Sequence, residues 1–122
     1  MIYLNIGEPD FTAAPRVVEA AARCMAQGRT QYTHATGLPR LREQVALKVA
    51  GLYGRAVSAE SEVTIVPGAT EAIFCAVQAL IRPDDEAIVL DPCYDSYSPS
   101  IALAGGSVVR VPLTPGSFRP DF

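Results

Sequence analysis

The chemically most informative stretch of the sequence is V-P-G-A-T at residues 66–70, where a β-branched run passes into a helical pattern. The first amides of a helix lack intrahelical acceptors, and the helix dipole adds positive charge beside them. Gly68 lets a ligand approach the backbone, the amides of Ala69 and Thr70 point outward, and the Thr70 hydroxyl adds a donor. The joint predicts a phosphate-type anion site, although the local pattern equally allows Gly68 to ease a turn and Thr70 to cap the helix.

A second group of candidate residues is D-P-C-Y-D-S-Y at residues 91–97, which follows another predicted strand. Ligands of parallel α/β sheets bind beyond the carboxyl ends of the strands, so this segment should share an edge of the sheet with Gly68. The ring of Tyr94 could lie on the face of a flat heterocycle. Taken alone, the motif favours ordinary core packing for Tyr94.

Two loops supply further candidates whose individual signals are weak. G-E-P-D-F at residues 7–11 begins with Gly7, whose amide is sterically open. Q-Y-T-H-A-T-G-L at residues 31–38 leads to L-R-E at residues 41–43. Taken singly, these patterns indicate a half-buried loop aromatic at Tyr32 and a solvated helix face at Arg42 and Glu43.

The elements that must position these residues alternate between helix and strand. Helical spacing predicts a helix near residues 13–27, with Thr12 as a cap, and a second over residues 38–52 that ends at Gly54. Residues 63–66 predict a buried strand that feeds a buried helix over residues 69–81. A strand at 87–90, a helix over 94–103 and a strand at 108–111 follow. The alternation predicts an α/β fold with a parallel sheet.

Composition argues against several classes of function. The 13 acidic and 10 basic residues are scattered, with no basic run for nucleic acid or an anionic membrane. No apolar stretch reaches the roughly 20 residues that span a bilayer, and no secretory signal is visible, so we expect a cytoplasmic protein. The spacing of Cys24, Cys75 and Cys93 predicts free thiols. With His34 as the single histidine, we expect no metal site and no Ser–His pair.

Four motifs, taken in order, resemble the amino-terminal third of the class I/II aminotransferases, which are fold type I enzymes dependent on pyridoxal 5'-phosphate (PLP). They are G-E-P-D-F at 7–11, Q-Y-T-x-x-x-G-L at 31–38 with L-R-E at 41–43, P-G-A-T-E-A at 67–72 and D-P-x-Y-x-x-Y at 91–97. Within the family the chain looks most similar to the group of aspartate, alanine, kynurenine and methionine aminotransferases. The resemblance implies that residues 1–122 are the amino-terminal part of a three-layer α/β/α PLP-binding domain, with no second domain.

The resemblance also implies roles for individual residues. The turn at Gly68, Ala69 and Thr70 would hold the PLP phosphate, and Tyr94 would stack on the pyridine ring. Gly7 would offer its N–H to the substrate carboxylate. Tyr32 would reach across a homodimer interface to the phosphate of the partner's PLP. The implied reaction passes an amino group between an amino acid and a 2-oxo acid.

One departure from the family concerns the lysine that carries the cofactor. Lys48 is the only lysine, and its amphipathic helix carries none of the family's Schiff-base motif, so we expect it on a solvated face. We therefore expect a truncated chain that has no catalytic residue and is inactive alone. Its wide apolar surfaces would make the isolated chain associate or rearrange, an expectation that a sharp, two-state, monomeric thermal transition would contradict.

Two alternatives remain beside the transaminase. A non-catalytic α/β module that binds a phosphorylated metabolite at the Gly68 joint would need no lysine. A PLP-dependent lyase, or a transcription regulator with an aminotransferase-like domain, would share the fold, because one scaffold hosts several reactions. The regulator would need a DNA-binding segment, which this sequence does not provide.

Overall fold

The computed structural model describes residue 2 and residues 5–121, in which the chain divides into two compact units, Met1–Ala35 and Thr36–Phe122. The assignment of residues 1–122 to one domain stays a prediction. The first unit contains helix α1, Pro15–Ala26, which confirms the helix predicted near 13–27. The predicted Thr12 cap is wrong, because Ala14 is the N-cap and makes no side-chain cap bond. Pro15 explains the shift, since proline is favoured at the first helical position and drives its predecessor into extended geometry.

The second unit begins with α2, Pro39–Tyr53, which confirms the second predicted helix. It ends as predicted at Gly54, whose φ of 64° places it in the left-handed region that glycine adopts without strain. The Gly54 N–H donates to the Ala50 carbonyl oxygen at 2.9 Å. Lys48 is exposed on this helix, as expected.

The prediction of a solvated face at residues 42 and 43 is half wrong. Glu43 is exposed, but Arg42 is only 9% exposed. The Arg42 Nη1 atom donates to the carbonyl oxygens of Ala59 and Glu60, both at 3.1 Å. A buried guanidinium is stable when hydrogen bonds replace its water, so Arg42 fastens the loop after α2 to the helix. The helical pattern could not reveal this contact, because the loop is distant in sequence.

The structure assigns residues 63–66 to no strand, so the predicted strand is wrong in this form. A segment forms a ladder only beside another strand, and here a backbone bond runs from the Ile65 N–H to the Thr36 carbonyl oxygen at 3.0 Å. Gly37 lies against this segment with a φ of +91°, and a Cβ at that position would approach the Ile65 Cβ to 2.5 Å. The glycine of the Q-Y-T-x-x-x-G-L motif is therefore required by packing as well as by conformation.

The remainder of the second unit is a strand–helix–strand arrangement preceded by a helix. In order, it consists of α3 (Ala69–Leu80), β1 (Glu86–Asp91), α4 (Tyr97–Leu103) and β2 (Ser107–Pro112). Strands β1 and β2 pair in parallel, with Val89 opposite Arg110, and α4 packs against both strands and against α3. Parallel neighbours need a crossover connection, which α4 provides. The predicted α/β class with a parallel sheet is confirmed.

Helix α4 begins three residues later than the sequence pattern predicted, at Tyr97 instead of Tyr94. Pro99 gives the physical reason. Proline has no N–H and is tolerated only in the first turn of a helix, whereas an interior proline costs about 3 kcal/mol. Starting at Tyr97 makes Pro99 the third residue of the helix. Residues 94–96 are consequently left as a loop.

The core of the described residues is small. Val89 and Ile101, at 6% and 4% exposure, are its buried large apolar side chains. The prediction that α3 is a buried helix is wrong, because none of its residues is buried and Leu80 is 75% exposed. A helix that is apolar on nearly every face needs partners all round, and α4 packs on only one side. The expected wide apolar surfaces are therefore present, whereas association of the isolated chain stays a prediction.

Candidate functional site

The joint before α3 has a backbone conformation that requires glycine. Gly68 is the N-cap of α3, with φ 97° and ψ 160°, a region that residues with a Cβ essentially never occupy. A Cβ there would meet no atom within 4 Å, so conformation rather than space imposes the requirement. The same open space leaves the backbone accessible to a ligand. The turn interpretation and the ligand interpretation of Gly68 are thus compatible.

The start of α3 presents three amides without acceptors. The first bond of the helix runs from the Ala72 N–H to the Gly68 carbonyl oxygen at 3.2 Å. The amides of Ala69, Thr70 and Glu71 have no acceptor in residues 5–121, as expected for the first turn of a helix. These N–H groups and the positive end of the helix dipole favour an anion.

The Thr70 hydroxyl is available to the same anion. Gly68, not Thr70, is the N-cap, and no side chain caps the helix, so the capping interpretation of Thr70 is wrong. Within the described part of the chain, the Thr70 hydroxyl has no hydrogen-bond partner, and the residue is exposed. Both its amide and its hydroxyl can therefore donate to a bound group.

A cavity of about 270 Å³ adjoins these amides. It is lined by Ala69, Thr70, Ile73, Tyr94, Ser96 and Tyr97. Residues that follow both joints line this cavity, so the structure brings the two segments together, although residues 63–66 form no strand of the sheet. No charged side chain is among the lining residues, so the positive potential comes from the backbone. A small anion with a flat attached group suits this combination.

Tyr94 is exposed and does not fill a core. Its side chain lies in the loop before α4 and is 59% exposed, so the core-packing interpretation is wrong. The centroids of the Tyr94 and Tyr97 rings are 6.0 Å apart, and the ring planes are inclined by 54°. Tyr94 borders the same space as Ala69 and Thr70, since all three line the cavity.

Polar contacts fasten both ends of the loop that carries Tyr94. At its start, Asp91 ends β1, and an Asp91 carboxylate oxygen lies 3.8 Å from Nη1 of Arg110 on β2. Beyond its end, Arg110 Nη2 donates to the Ser98 hydroxyl at 3.0 Å. Both groups of the ion pair are about half exposed, so its contribution to stability is within about 1 kcal/mol. The contact fixes the path of the loop more than it stabilises the fold.

Three residues of the cavity were not among the predicted site residues. Tyr97 belongs to the D-P-x-Y-x-x-Y motif, which is the sequence signal that could have identified it. Ile73 lies three and four residues after Thr70 and Ala69, so helical spacing places it on the same face. Ser96 carried no signal, because its position depends on where α4 begins.

A second, apolar cavity of about 570 Å³ lies between α3, β1 and α4. Ile73, Tyr94 and Tyr97 border both this cavity and the smaller one. The other lining residues are almost entirely aliphatic, with Cys93 among them. A space lined almost entirely by apolar side chains can accept apolar groups but offers few groups that orient a charged ligand. The hydrogen-bond donors that could orient a charged ligand therefore lie at the smaller cavity.

The other two predicted site residues, Gly7 and Tyr32, lie in the first unit. Both are exposed, and Tyr32 is fully so, which makes the prediction of a half-buried loop aromatic wrong. A Cβ at Gly7 would meet no atom within 4 Å, so its backbone is open to approach. Their assigned roles stay predictions.

Other reactive groups form no further centre in the described residues. Cys24, Cys75 and Cys93 are free thiols. Within residue 2 and residues 5–121, no three His, Cys, Asp or Glu side chains are grouped to hold a metal ion. Lys48 lines neither cavity. None of the helices found in this same part of the chain is long and apolar enough to cross a bilayer.

Comparison with known sequences identifies the family. The aminotransferase class I and II family matches residues 1–122. The methionine aminotransferase of Escherichia coli strain K12 is 47% identical over 121 residues, which are 99% of this chain and 31% of that protein. The aspartate/prephenate aminotransferase of Thermus thermophilus is 42% identical over 122 residues, again 99% of this chain and 31% of that protein. The chain thus spans about a third of the length of these relatives.

Comparison with solved structures leads to the same family. A crystal structure of an Escherichia coli protein with methionine aminotransferase function is 48% identical and superposes with a TM-score of 0.95, covering 98% of this chain and 32% of that one. The aspartate aminotransferase of Thermotoga maritima is 39% identical with a TM-score of 0.92, covering 99% and 32%. Sequence and fold match over essentially the whole chain, and the described residues carry the glycine turn, the free amides and the exposed ring of the shared motifs. The chain belongs to the class I and II aminotransferase family.

Proposed function

We propose that the whole protein is a PLP-dependent aminotransferase that passes an amino group between an amino acid and a 2-oxo acid. The observation that carries this proposal is the smaller cavity, where the free amides at the start of α3 meet the exposed ring of Tyr94. An anionic tail and a flat ring on one ligand match these two features. Membership of the aminotransferase family makes PLP the natural choice.

The residues present fit the phosphate of PLP. The amides of Ala69 and Thr70 and the Thr70 hydroxyl supply three donors at the positive end of a helix. Gly68 keeps the approach to these donors free of a side chain. Glu71 is the acidic residue of the same first turn, and its negative charge partly offsets the positive end of the helix dipole. The phosphate-binding donors are therefore neutral groups of the backbone and one hydroxyl.

The residues present also fit the pyridine ring. Tyr94 is exposed and lines the cavity, and a contact between its ring and the pyridine ring would contribute about 0.5 to 1.5 kcal/mol beyond burial. Gly7 is proposed to donate its amide to the substrate carboxylate, and Tyr32 to reach the cofactor phosphate of a partner subunit in a homodimer. Full exposure of Tyr32 leaves its side chain available for such a contact. A cytoplasmic location is part of the same proposal.

When bound, PLP supplies the electron-withdrawing ring that such transfers need, and the protein orients it. This chain's contribution is to hold the phosphate at α3, to fix the ring plane with Tyr94 and to receive the substrate carboxylate at Gly7. Lys48 is not the lysine that carries the cofactor, because it is exposed on α2 and lines neither cavity. The proposal assigns that lysine to residues outside these 122.

The test is to purify the whole protein and add PLP. We expect a visible absorption band that borohydride abolishes, and transfer of the amino group from an amino acid to a 2-oxo acid. Methionine and aspartate are the first donors to try, because the similar proteins named above act on them. Phosphate binding without the visible band would favour the non-catalytic module. Release of the amino group without transfer would favour a lyase of the same fold.

A further inference from the structure

Tyr97, the second tyrosine of the D-P-x-Y-x-x-Y motif, has no assigned role. It is half-buried and is the first residue of α4. Its backbone N–H donates to the Tyr94 carbonyl oxygen at 3.4 Å. Tyr97 lines both the 270 Å³ cavity and the 570 Å³ apolar cavity, so it stands between them. This position makes it a wall of the proposed ligand site.

The two tyrosines form an aromatic pair in which one ring is restrained more than the other. Their centroids are 6.0 Å apart with planes inclined by 54°, within the range of about 4.5 to 7 Å over which tilted pairs attract. Tyr97 is helical and half-buried, whereas Tyr94 lies in a loop and is 59% exposed. The more restrained ring of Tyr97 therefore limits the orientations open to the ring of Tyr94.

The contact is made by the ring and not by the hydroxyl. Across residues 5–121, the Tyr97 hydroxyl has no hydrogen-bond partner, so it anchors neither Tyr94 nor the start of α3. Removing the hydroxyl should therefore leave the pair intact, whereas removing the ring should free Tyr94. This difference separates the two parts of the side chain experimentally.

We propose that Tyr97 is a positioning residue whose ring holds the Tyr94 ring in the plane that receives an aromatic ligand with an anionic tail. The inference rests on the proposed function, because it requires such a ligand at the start of α3. Tyr97 acts through Tyr94 and not through the phosphate donors. It should consequently affect how the ligand ring is held, while the affinity for a bare anion stays the same.

The experiment uses the apo form of the whole protein, titrated with PLP. Tyr97→Leu removes the ring while keeping apolar bulk, and Tyr97→Phe keeps the ring. Tyr53→Leu is the matched control, since Tyr53 is an exposed tyrosine at the end of α2. Three quantities are measured: the PLP dissociation constant, the visible circular dichroism of bound PLP, and the inhibition constant of inorganic phosphate as a competitor.

For Tyr97→Leu we expect about two- to tenfold weaker PLP binding and reduced circular dichroism, because one aromatic pair contributes a modest energy. The inhibition constant of inorganic phosphate should not change. Tyr97→Phe and Tyr53→Leu should match the unmodified protein in all three quantities. Unchanged dichroism in Tyr97→Leu, or an equal loss in Tyr97→Phe, would overturn the inference. Weaker phosphate binding in Tyr97→Leu would also overturn it, by showing a disturbed α3.

Two remaining results are equally decisive. If Tyr97→Leu does not fold, Tyr97→Phe decides. Full circular dichroism in Tyr97→Phe supports a role for the ring, and reduced dichroism refutes the inference. If the unmodified protein binds inorganic phosphate but not PLP, the proposed function itself fails and this inference fails with it. That outcome is visible before any variant is compared.

Discussion

Replacing Ala69 with proline tests the anion site while changing the fold very little. Ala69 is the first residue of α3 and one of three amides there without an acceptor in the described chain. Proline at this position deletes the N–H and keeps a helical φ. Gly68 has a ψ of 160°, which lies within the ψ range of residues before proline. The chain already uses proline at this position in α1 and α2, at Pro15 and Pro39.

The expected effect follows from the loss of one donor to a charged group. A hydrogen bond to a charged partner contributes about 1.5 to 3 kcal/mol. At about 1.4 kcal/mol for each factor of ten, Ala69→Pro should bind PLP roughly ten- to a hundredfold more weakly. The free energy of unfolding of the apo protein should change by no more than about 0.5 kcal/mol, because no internal bond is lost.

The assay is a titration of the apo form of the whole protein with PLP, followed by its visible absorption, with denaturant unfolding measured in parallel. Ala69→Ser is the matched control, because it alters the side chain and keeps the amide. Inorganic phosphate should lose affinity in the proline variant to a similar extent as PLP, since both would use the same donor. Binding of PLP by Ala69→Pro within twofold of Ala69→Ser would refute the assignment of the phosphate to α3.

Two further predictions concern the scaffold, and both are measured by denaturant unfolding of the whole protein. Gly37→Ala should destabilise by about 2 to 4 kcal/mol, because the added Cβ meets Ile65 at 2.5 Å and φ is +91°. Gly51→Ala, inside α2 with no atom within 4 Å, should instead stabilise by about 0.5 to 1 kcal/mol, and equal effects would contradict the packing argument. Arg42→Leu should cost about 2 kcal/mol by removing the charged donor of two carbonyls. Arg40→Leu should stay within about 0.5 kcal/mol, because Arg40 is exposed on the same helix; a matching loss there would contradict the role of Arg42.

The helices and the paired strands were predictable because their signals are local. Periodicity located α1, α2 and α3, and β-branched runs located β1 and β2. Errors arose where a neighbour distant in sequence decides the outcome. Residues 63–66 have strand composition but lack a ladder partner, and α3 has core composition but few contacts. The late start of α4 is different, since Pro99 contained that information in the sequence.

The candidate site also has features that were predictable from the sequence and features that were not. The free amides that follow Gly68 were predictable because the start of any helix leaves its first N–H groups without acceptors, whatever surrounds it. The contact partners of Arg42 and the membership of Tyr97 in the cavity depend on how separate segments pack. No short window of sequence encodes the partners of Arg42, and the D-P-x-Y-x-x-Y motif marks Tyr97 without showing that it lines the cavity.

By itself, the sequence determined the α/β class, the glycine turn with free amides at the start of α3 and the family resemblance, because backbone geometry, hydrophobic period and ordered motifs are properties of local residue order. Only the tertiary structure decided that Tyr94 is exposed and lines one cavity with Ala69 and Thr70, and that the centroids of the Tyr94 and Tyr97 rings lie 6.0 Å apart. The physical reason is that the distance between two segments depends on packing and hydrogen bonds formed between them, which no local pattern specifies.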